Sequence, residues 1–162
     1  MNMTHYMELL ATNQPWNLLI FMALPVILAE TIAVSELYIL FTRDLHGRVR
    51  KINKLAGIIV GCYFLVIFFY LLFKAVIPIT AAGEWRTIID VIAVVFYLLG
   101  VIPLFGISLL EFGALGKYKG EEWKLKLHAK FVALFLIVAH IAMIFGMLSP
   151  SLLDAGFHMH QM

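Results

Sequence analysis

Four long apolar runs dominate this sequence and restrict what it can fold into. They cover residues 16–42, 55–79, 87–112 and 127–149. A helix needs about 20 apolar residues to cross the hydrocarbon core of a bilayer. Runs of this length without strict alternation argue against β-barrel strands, and the short connections leave no room for a separate soluble domain. The sequence therefore predicts a single-domain, all-α membrane protein, a four-transmembrane-helix bundle.

The composition agrees with a membrane location. The chain is 63% hydrophobic and 14% charged, whereas a soluble domain is about half apolar and about a quarter charged. A net charge of +2 gives no basis for nucleic-acid binding. We therefore expect the lipid bilayer to be the main partner. The start of the chain lacks a basic region followed by a cleavage site, so we expect it to be retained.

The basic residues predict how the helices are oriented. Segments 43–54 and 117–130 carry five Lys or Arg residues each, whereas segment 80–86 carries one. Short loops that are rich in Lys and Arg stay in the cytoplasm. The sequence thus predicts a multi-pass protein of a bacterial or archaeal cytoplasmic membrane with both termini outside (N-out/C-out).

Ionisable residues inside the apolar runs are candidates for function because burying them in a membrane is costly. Glu30 and His140 lie near the centres of the first and fourth runs, and hence at similar depth. We expect them to form a pair, which either serves a site or holds two helices together. The other ionisable residues lie nearer the surfaces: Glu36, Glu111 and His128 on the cytoplasmic side, Asp90 and Lys74 on the outer side.

The cytoplasmic group has two interpretations. Glu36, Glu111 and His128 either pair with loop lysines and reach water, which is the more common arrangement near an interface, or form a proton path from Glu30.

Methionine and histidine placement suggests a soft metal site. His140, Met143 and Met147 share one helical face, although such stripes are usually plain packing. In the predicted orientation, all eight methionines fall in the outer half. Thioether and imidazole ligands suit Cu(I), whereas carboxylate–histidine mixtures suit zinc, iron or manganese. We therefore predict copper binding by this face, with Glu30 as its partner at the membrane centre. The further candidate ligands are Met22, Met3, Met7, His5, His158 and His160.

The sequence is also compatible with functions other than copper binding. The terminal residues 158–162, His-Met-His-Gln-Met, also fit an exposed tail. A haem b or a quinone near His140 would make the chain a redox or proton-handling subunit. His128 lies about 18 Å and about 120° away along the same helix, so the two histidines cannot share one haem. A third hypothesis is a cofactor-free accessory subunit of a larger complex. Four helices are few for a transport path, so a homo-oligomer is plausible, and no catalytic residue is predicted.

The opening stretch MTHYMELLATNQPWNLLIFMALPVILAET, residues 3–31, resembles a family of small bacterial four-span membrane proteins labelled permeases. The resemblance covers most of the chain and implies four helices in a membrane. It carries no catalytic residues across. It also implies that residues 4–7 and 13–17 belong to the ordered protein.

Overall fold

The computed structural model describes residues 3–149, which form helices and no strand. The helices are α1 (His5–Ala11), α2 (Trp16–Thr42), α3 (Arg48–Ala82), α4 (Ile88–Glu111) and α5 (Glu121–Met147). The last four are long and apolar enough to cross a membrane. The predicted all-α bundle of four spanning helices is thus confirmed, and the chain is a multi-pass membrane protein.

Two of the four predicted spans differ from the helices by several residues at their ends. The run at 55–79 belongs to the longer helix Arg48–Ala82, and the run at 127–149 belongs to Glu121–Met147. Apolar content marks only the lipid-facing part of a helix, while backbone hydrogen bonds continue it through polar residues. Most basic residues that were assigned to loops therefore lie on helices.

Two prolines are accommodated by π-helical turns. Leu19–Ala23 of α2 precedes Pro25, and Leu72–Val76 of α3 precedes Pro78. A proline cannot donate a backbone hydrogen bond and crowds the carbonyl four residues earlier, so the helix widens there. In α2 the carbonyls of the widened turn accept hydrogen bonds from two tyrosines of other helices. Tyr63 donates to Ile20 over 3.0 Å and Tyr97 donates to Phe21 over 2.5 Å.

Small residues bring α3 and α4 close together. A Cβ atom on Gly61 would overlap the Ser108 hydroxyl and the Leu104 carbonyl oxygen. The Ser108 hydroxyl donates to the Gly57 carbonyl over 2.9 Å. The Gly57–Gly61 pair thus allows close helix packing, as a GxxxG motif does in other membrane proteins.

The four spanning helices pack in chain order. Neighbouring helices along the chain make extensive contacts, whereas α2 and α5 touch only slightly. We call the end with segments 43–47 and 112–120 the basic end, and the end with α1 the cap end. α1 is docked there: the buried Thr4 hydroxyl donates to the Gly146 carbonyl over 2.8 Å, and Leu10 is buried.

Candidate functional site

A cavity of about 200 Å³ lies in the cap half of the bundle and brings the predicted central residues together. Glu30 and Met22 line it from α2, and His140 and Met143 line it from α5. The two residues from α2 lie more than 100 positions before the two from α5 in the sequence. We call this space the Glu30 cavity.

The Glu30 cavity is aromatic inside and open on one side. Glu30, His140 and Met143 are exposed, and the opening falls between α2 and α5, where the two helices make few contacts. The lining of the cavity is mostly apolar. Its aromatic lining consists of Tyr6, Phe21, Phe64, Phe96, Tyr97 and Phe135.

The imidazole of His140 is held so that one nitrogen is free. Its Nδ1 lies 2.6 Å from the Leu136 carbonyl oxygen, one turn earlier in α5. A carbonyl oxygen only accepts, so Nδ1 carries the hydrogen and, in the neutral ring, Nε2 keeps its lone pair. This is the arrangement in which a histidine presents Nε2 to a ligand.

Tyr6 of α1 lines the cavity on the side of the cap end. Its ring packs 5.1 Å from that of Tyr97 and against Gly146, where a Cβ atom would crowd it. Burial raises the pKa of Tyr6 to about 12, so the phenol remains neutral at physiological pH.

The remaining predicted ligands do not line the Glu30 cavity. Met147 is 72% exposed on the last turn of α5, Met7 packs beside the buried core that includes Leu10 and Phe21, and Met3 precedes α1. Of the predicted inward series, Met143, His140 and Glu30 line the cavity, whereas Met147 does not. His158 and His160 lie outside the described residues.

Asp90 and His5 serve to anchor α1. The fully buried Asp90 carboxylate accepts a hydrogen bond from the His5 backbone over 2.7 Å, and its second oxygen contacts the His5 ring. Arg86 contacts the Met3 carbonyl and the Glu8 carboxylate. His5 also lines a separate cavity of about 600 Å³, together with Lys74. The implied ordering of the N-terminal segment is thus borne out by α1.

A second polar region lies near the basic end, where every spanning helix contributes a side chain. It consists of Glu36 from α2, Arg50 and Asn53 from α3, Glu111 from α4 and His128 from α5. We call it the four-helix polar cluster. The Arg50 guanidinium binds both Glu111 carboxylate oxygens, over 2.7 and 3.1 Å, and donates to the Asn53 side-chain oxygen over 3.0 Å.

Glu36 and His128 occupy the centre of this cluster. His128 is 1% exposed and Glu36 is 3% exposed. The Nδ1 atom of His128 lies 2.8 Å from Glu36 Oε2, and its Nε2 atom lies 3.5 Å from Glu111 Oε1. Neither ring nitrogen forms a well-directed hydrogen bond with a residue in 3–149, so these contacts are mainly electrostatic. The Asn53 amide donates to Glu36 Oε2 over 3.2 Å, and Glu36 Oε1 is buried with no hydrogen bond in the same range.

The prediction that Glu36, Glu111 and His128 pair with loop lysines or reach water is wrong. They are buried, they face one another, and their cation is Arg50. Arg50 was not predicted as part of this group because hydropathy placed it in a loop. Because α3 begins at Arg48, Arg50, Asn53 and Gly57 lie on one helical face. This spacing is the feature of the sequence that indicates the cluster.

Residues 3–149 lack one kind of ligand group that holds metal ions in other proteins. They contain no group of three or more His, Cys, Asp or Glu side chains arranged to hold a metal ion. A site rich in carboxylate and histidine, such as zinc uses, is therefore not formed by the described part of the chain.

Comparison with known proteins gives a family but no activity. The model of a family of unknown function, DUF6803, matches residues 1–162, so the chain belongs to that family. No curated protein and no solved structure matches the chain. The family description names no permease activity.

Proposed function

We propose that this member of DUF6803 binds a copper ion within the membrane, at the Glu30 cavity. The observation that carries the proposal is the convergence of Met22 and Glu30 from α2 with His140 and Met143 from α5 on one cavity. Side chains that are distant in sequence and converge with ligand chemistry are the usual mark of a site.

The donor set of the Glu30 cavity supports copper in its reduced form. Two thioethers and one imidazole are soft or intermediate ligands, which suit Cu(I) better than zinc or manganese. The Leu136 carbonyl leaves His140 Nε2 available. A single carboxylate, Glu30, offsets the positive charge of the ion in surroundings of low dielectric constant.

The size of the cavity supports an ion over a larger cofactor. Small-molecule sites typically measure about 300–1,000 Å³, and this cavity measures about 200 Å³. A haem b or a quinone ring would require neighbouring aromatic side chains to move, whereas an ion would require only the four ligands.

We also propose that copper enters from the outer face. The basic residues at 43–54 and 117–130 support a cytoplasmic location for the basic end, and hence an outer location for the cap end and both termini. In this orientation the Glu30 cavity opens toward the outer half of a bacterial or archaeal cytoplasmic membrane. Residues 158–162 would then be positioned on the side from which copper arrives.

Metal analysis of the purified full chain tests the proposal. Protein in detergent is loaded with Cu(I) under reducing conditions, passed through a desalting column and assayed for copper, with an optical spectrum of the protein as isolated. We expect about one copper per chain. A double substitution, His140→Ala with Met143→Ala, should remove it, whereas Met147→Ala should retain it because Met147 does not line the cavity.

Each alternative gives a different result in the same experiment. Full copper in the double variant contradicts the proposed ligands. A haem Soret band that depends on His140 would favour a redox subunit instead. Protein without metal or chromophore that co-purifies with another membrane protein would favour an accessory subunit of a complex.

A further inference from the structure

The four-helix polar cluster lies outside the Glu30 cavity and has an unusual charge balance. It contains two carboxylates and one guanidinium in a buried region of a membrane protein. Arg50 binds both oxygens of Glu111, and this pair is neutral. Glu36 is left with the Asn53 amide and the His128 ring as its neighbours. With a neutral imidazole, the cluster would carry one uncompensated negative charge.

An uncompensated charge in the interior of a membrane protein is strongly unfavourable, and a group in this situation usually takes up a proton. One added proton makes the cluster neutral. On His128 it would give an imidazolium placed between Glu36 Oε2, at 2.8 Å, and Glu111 Oε1, at 3.5 Å. On Glu36 it would give a carboxylic acid beside a neutral ring.

We propose that the four-helix polar cluster is a proton-binding site, in which the Glu36–His128 pair holds one exchangeable proton. Both side chains are more than nine-tenths buried, and both His128 nitrogens lack a directed hydrogen bond within residues 3–149. The groups that face His128 are Glu36 of α2, Arg50 of α3 with its partner Glu111 of α4, and the polar Asn53 of α3.

A proton fits this site better than a metal cation does. The neighbours of Glu36 Oε2 are nitrogen donors, from Asn53 and His128, rather than the oxygen ligands that sodium, calcium or magnesium require. Glu36 Oε1 is buried and makes no hydrogen bond within the described range. It is the position where a proton can be gained or lost without disturbing the Asn53 contact.

The remaining residues position this pair. The two Arg50–Glu111 bonds fix Glu111 against Nε2 of His128, and Asn53 orients Glu36 through Oε2. Asn53 also donates to the Ser35 hydroxyl over 2.9 Å and to the Ile32 carbonyl over 3.2 Å, which ties it to α2. The site is therefore preformed by contacts that do not depend on the proton.

Spectroscopy of the full chain, prepared without copper, tests the proposal. Nitrogen NMR of histidine-labelled protein in detergent at pH 7 reports whether His128 is charged, and infrared spectroscopy reports a protonated carboxylic acid. We expect either an imidazolium signal from His128 or a carboxylic C=O band from Glu36. Glu36→Gln should abolish it, because the amide removes the negative charge that retains the proton. Exposed Glu122 provides the matched control, and Glu122→Gln should leave the signal unchanged.

The result that overturns the proposal is a neutral His128 in the unsubstituted protein together with no carboxylic C=O band that Glu36→Gln removes. A signal that fails to exchange in D₂O, or that survives in Glu36→Gln, also overturns it. His128→Gln assigns the NMR signal, and if that variant does not fold, the loss of signal in Glu36→Gln serves the same purpose. Neither measurement involves copper, so the outcome is separate from that of the metal experiment.

Discussion

The same two helices supply a glutamate and a histidine to both polar regions of this molecule, yet the two regions differ. Glu36 and His128 are buried and lie 2.8 Å apart near the basic end. Glu30 and His140 are exposed at the rim of an open cavity. The difference comes from the other helices. In the polar cluster, α3 and α4 contribute Arg50, Asn53 and Glu111, whereas in the Glu30 cavity the neighbouring helices contribute aromatic rings. In this protein, the glutamate–histidine pair with polar neighbours is buried, and the pair with aromatic neighbours is exposed.

The largest expected effect on stability comes from removing Arg50, the cation of the four-helix polar cluster. Arg50→Ala leaves Glu111 buried without its partner and should lower the free energy of unfolding by about 3–5 kcal/mol. Denaturant unfolding in detergent micelles measures it. The double variant Arg50→Ala with Glu111→Gln should recover much of the loss. Exposed Lys51→Ala is the control and should change little. Equal effects of Arg50→Ala and Lys51→Ala would contradict the account of the cluster.

Separating α3 from α4 should have the next largest effect. Gly61→Ala inserts a methyl group against the Ser108 hydroxyl and the Leu104 backbone, and should destabilise the protein by about 1–3 kcal/mol. Gly120→Ala introduces its methyl group into open space and serves as the control. The same unfolding assay compares them, and a stable Gly61→Ala protein would show that the close approach is not needed.

A smaller effect distinguishes the two glutamates of α2. Glu30→Gln should weaken Cu(I) binding about tenfold, which corresponds to about 1.4 kcal/mol, because the carboxylate no longer offsets the charge of the ion. Glu36→Gln should leave the copper affinity unchanged, since Glu36 lies in the other region. Competition with a colorimetric Cu(I) chelator measures both. If Glu36→Gln weakens binding as much as Glu30→Gln, the two regions do not act separately.

The smallest effect concerns Tyr6 and appears only at alkaline pH. Burial raises the pKa of Tyr6 from 10.0 to about 12, so the folded state retains the proton that the unfolded state loses. Stability is therefore unaffected below pH 10 and falls as the pH rises toward 12, by about 1 kcal/mol between pH 10 and 11. Tyr6→Phe keeps the ring and should remove this contribution. Thermal unfolding at pH 8 and pH 11 compares the two proteins, and an identical pH dependence would refute the argument.

The level of a residue along the bundle could be predicted from the sequence, but the direction in which its side chain faces could not. Counting residues along each helix placed Glu30 and His140 at one level, and both line one cavity. The same counting grouped Glu36, Glu111 and His128 on one side, but Arg50 was not predicted to join them because hydropathy placed it in a loop rather than in the helix that begins at Arg48. It likewise gave no sign that His5 is held by Asp90, because that contact depends on the docking of α1, a helix of seven residues.

The π-helical turn at Leu19–Ala23 divides α2 into a short first part before Leu19 and a long second part from Leu24 to Thr42. Such a turn contains one residue more than an α-helical turn, and one residue corresponds to about 100° of rotation. Loss of a single residue there would remove the extra residue of the turn and rotate Trp16 and everything before it relative to Glu30. A one-codon deletion is therefore enough to change which side chains the first turns of α2 present to α1 and the lipid. The rest of α2, with Glu30 and Glu36, would keep its place in the bundle.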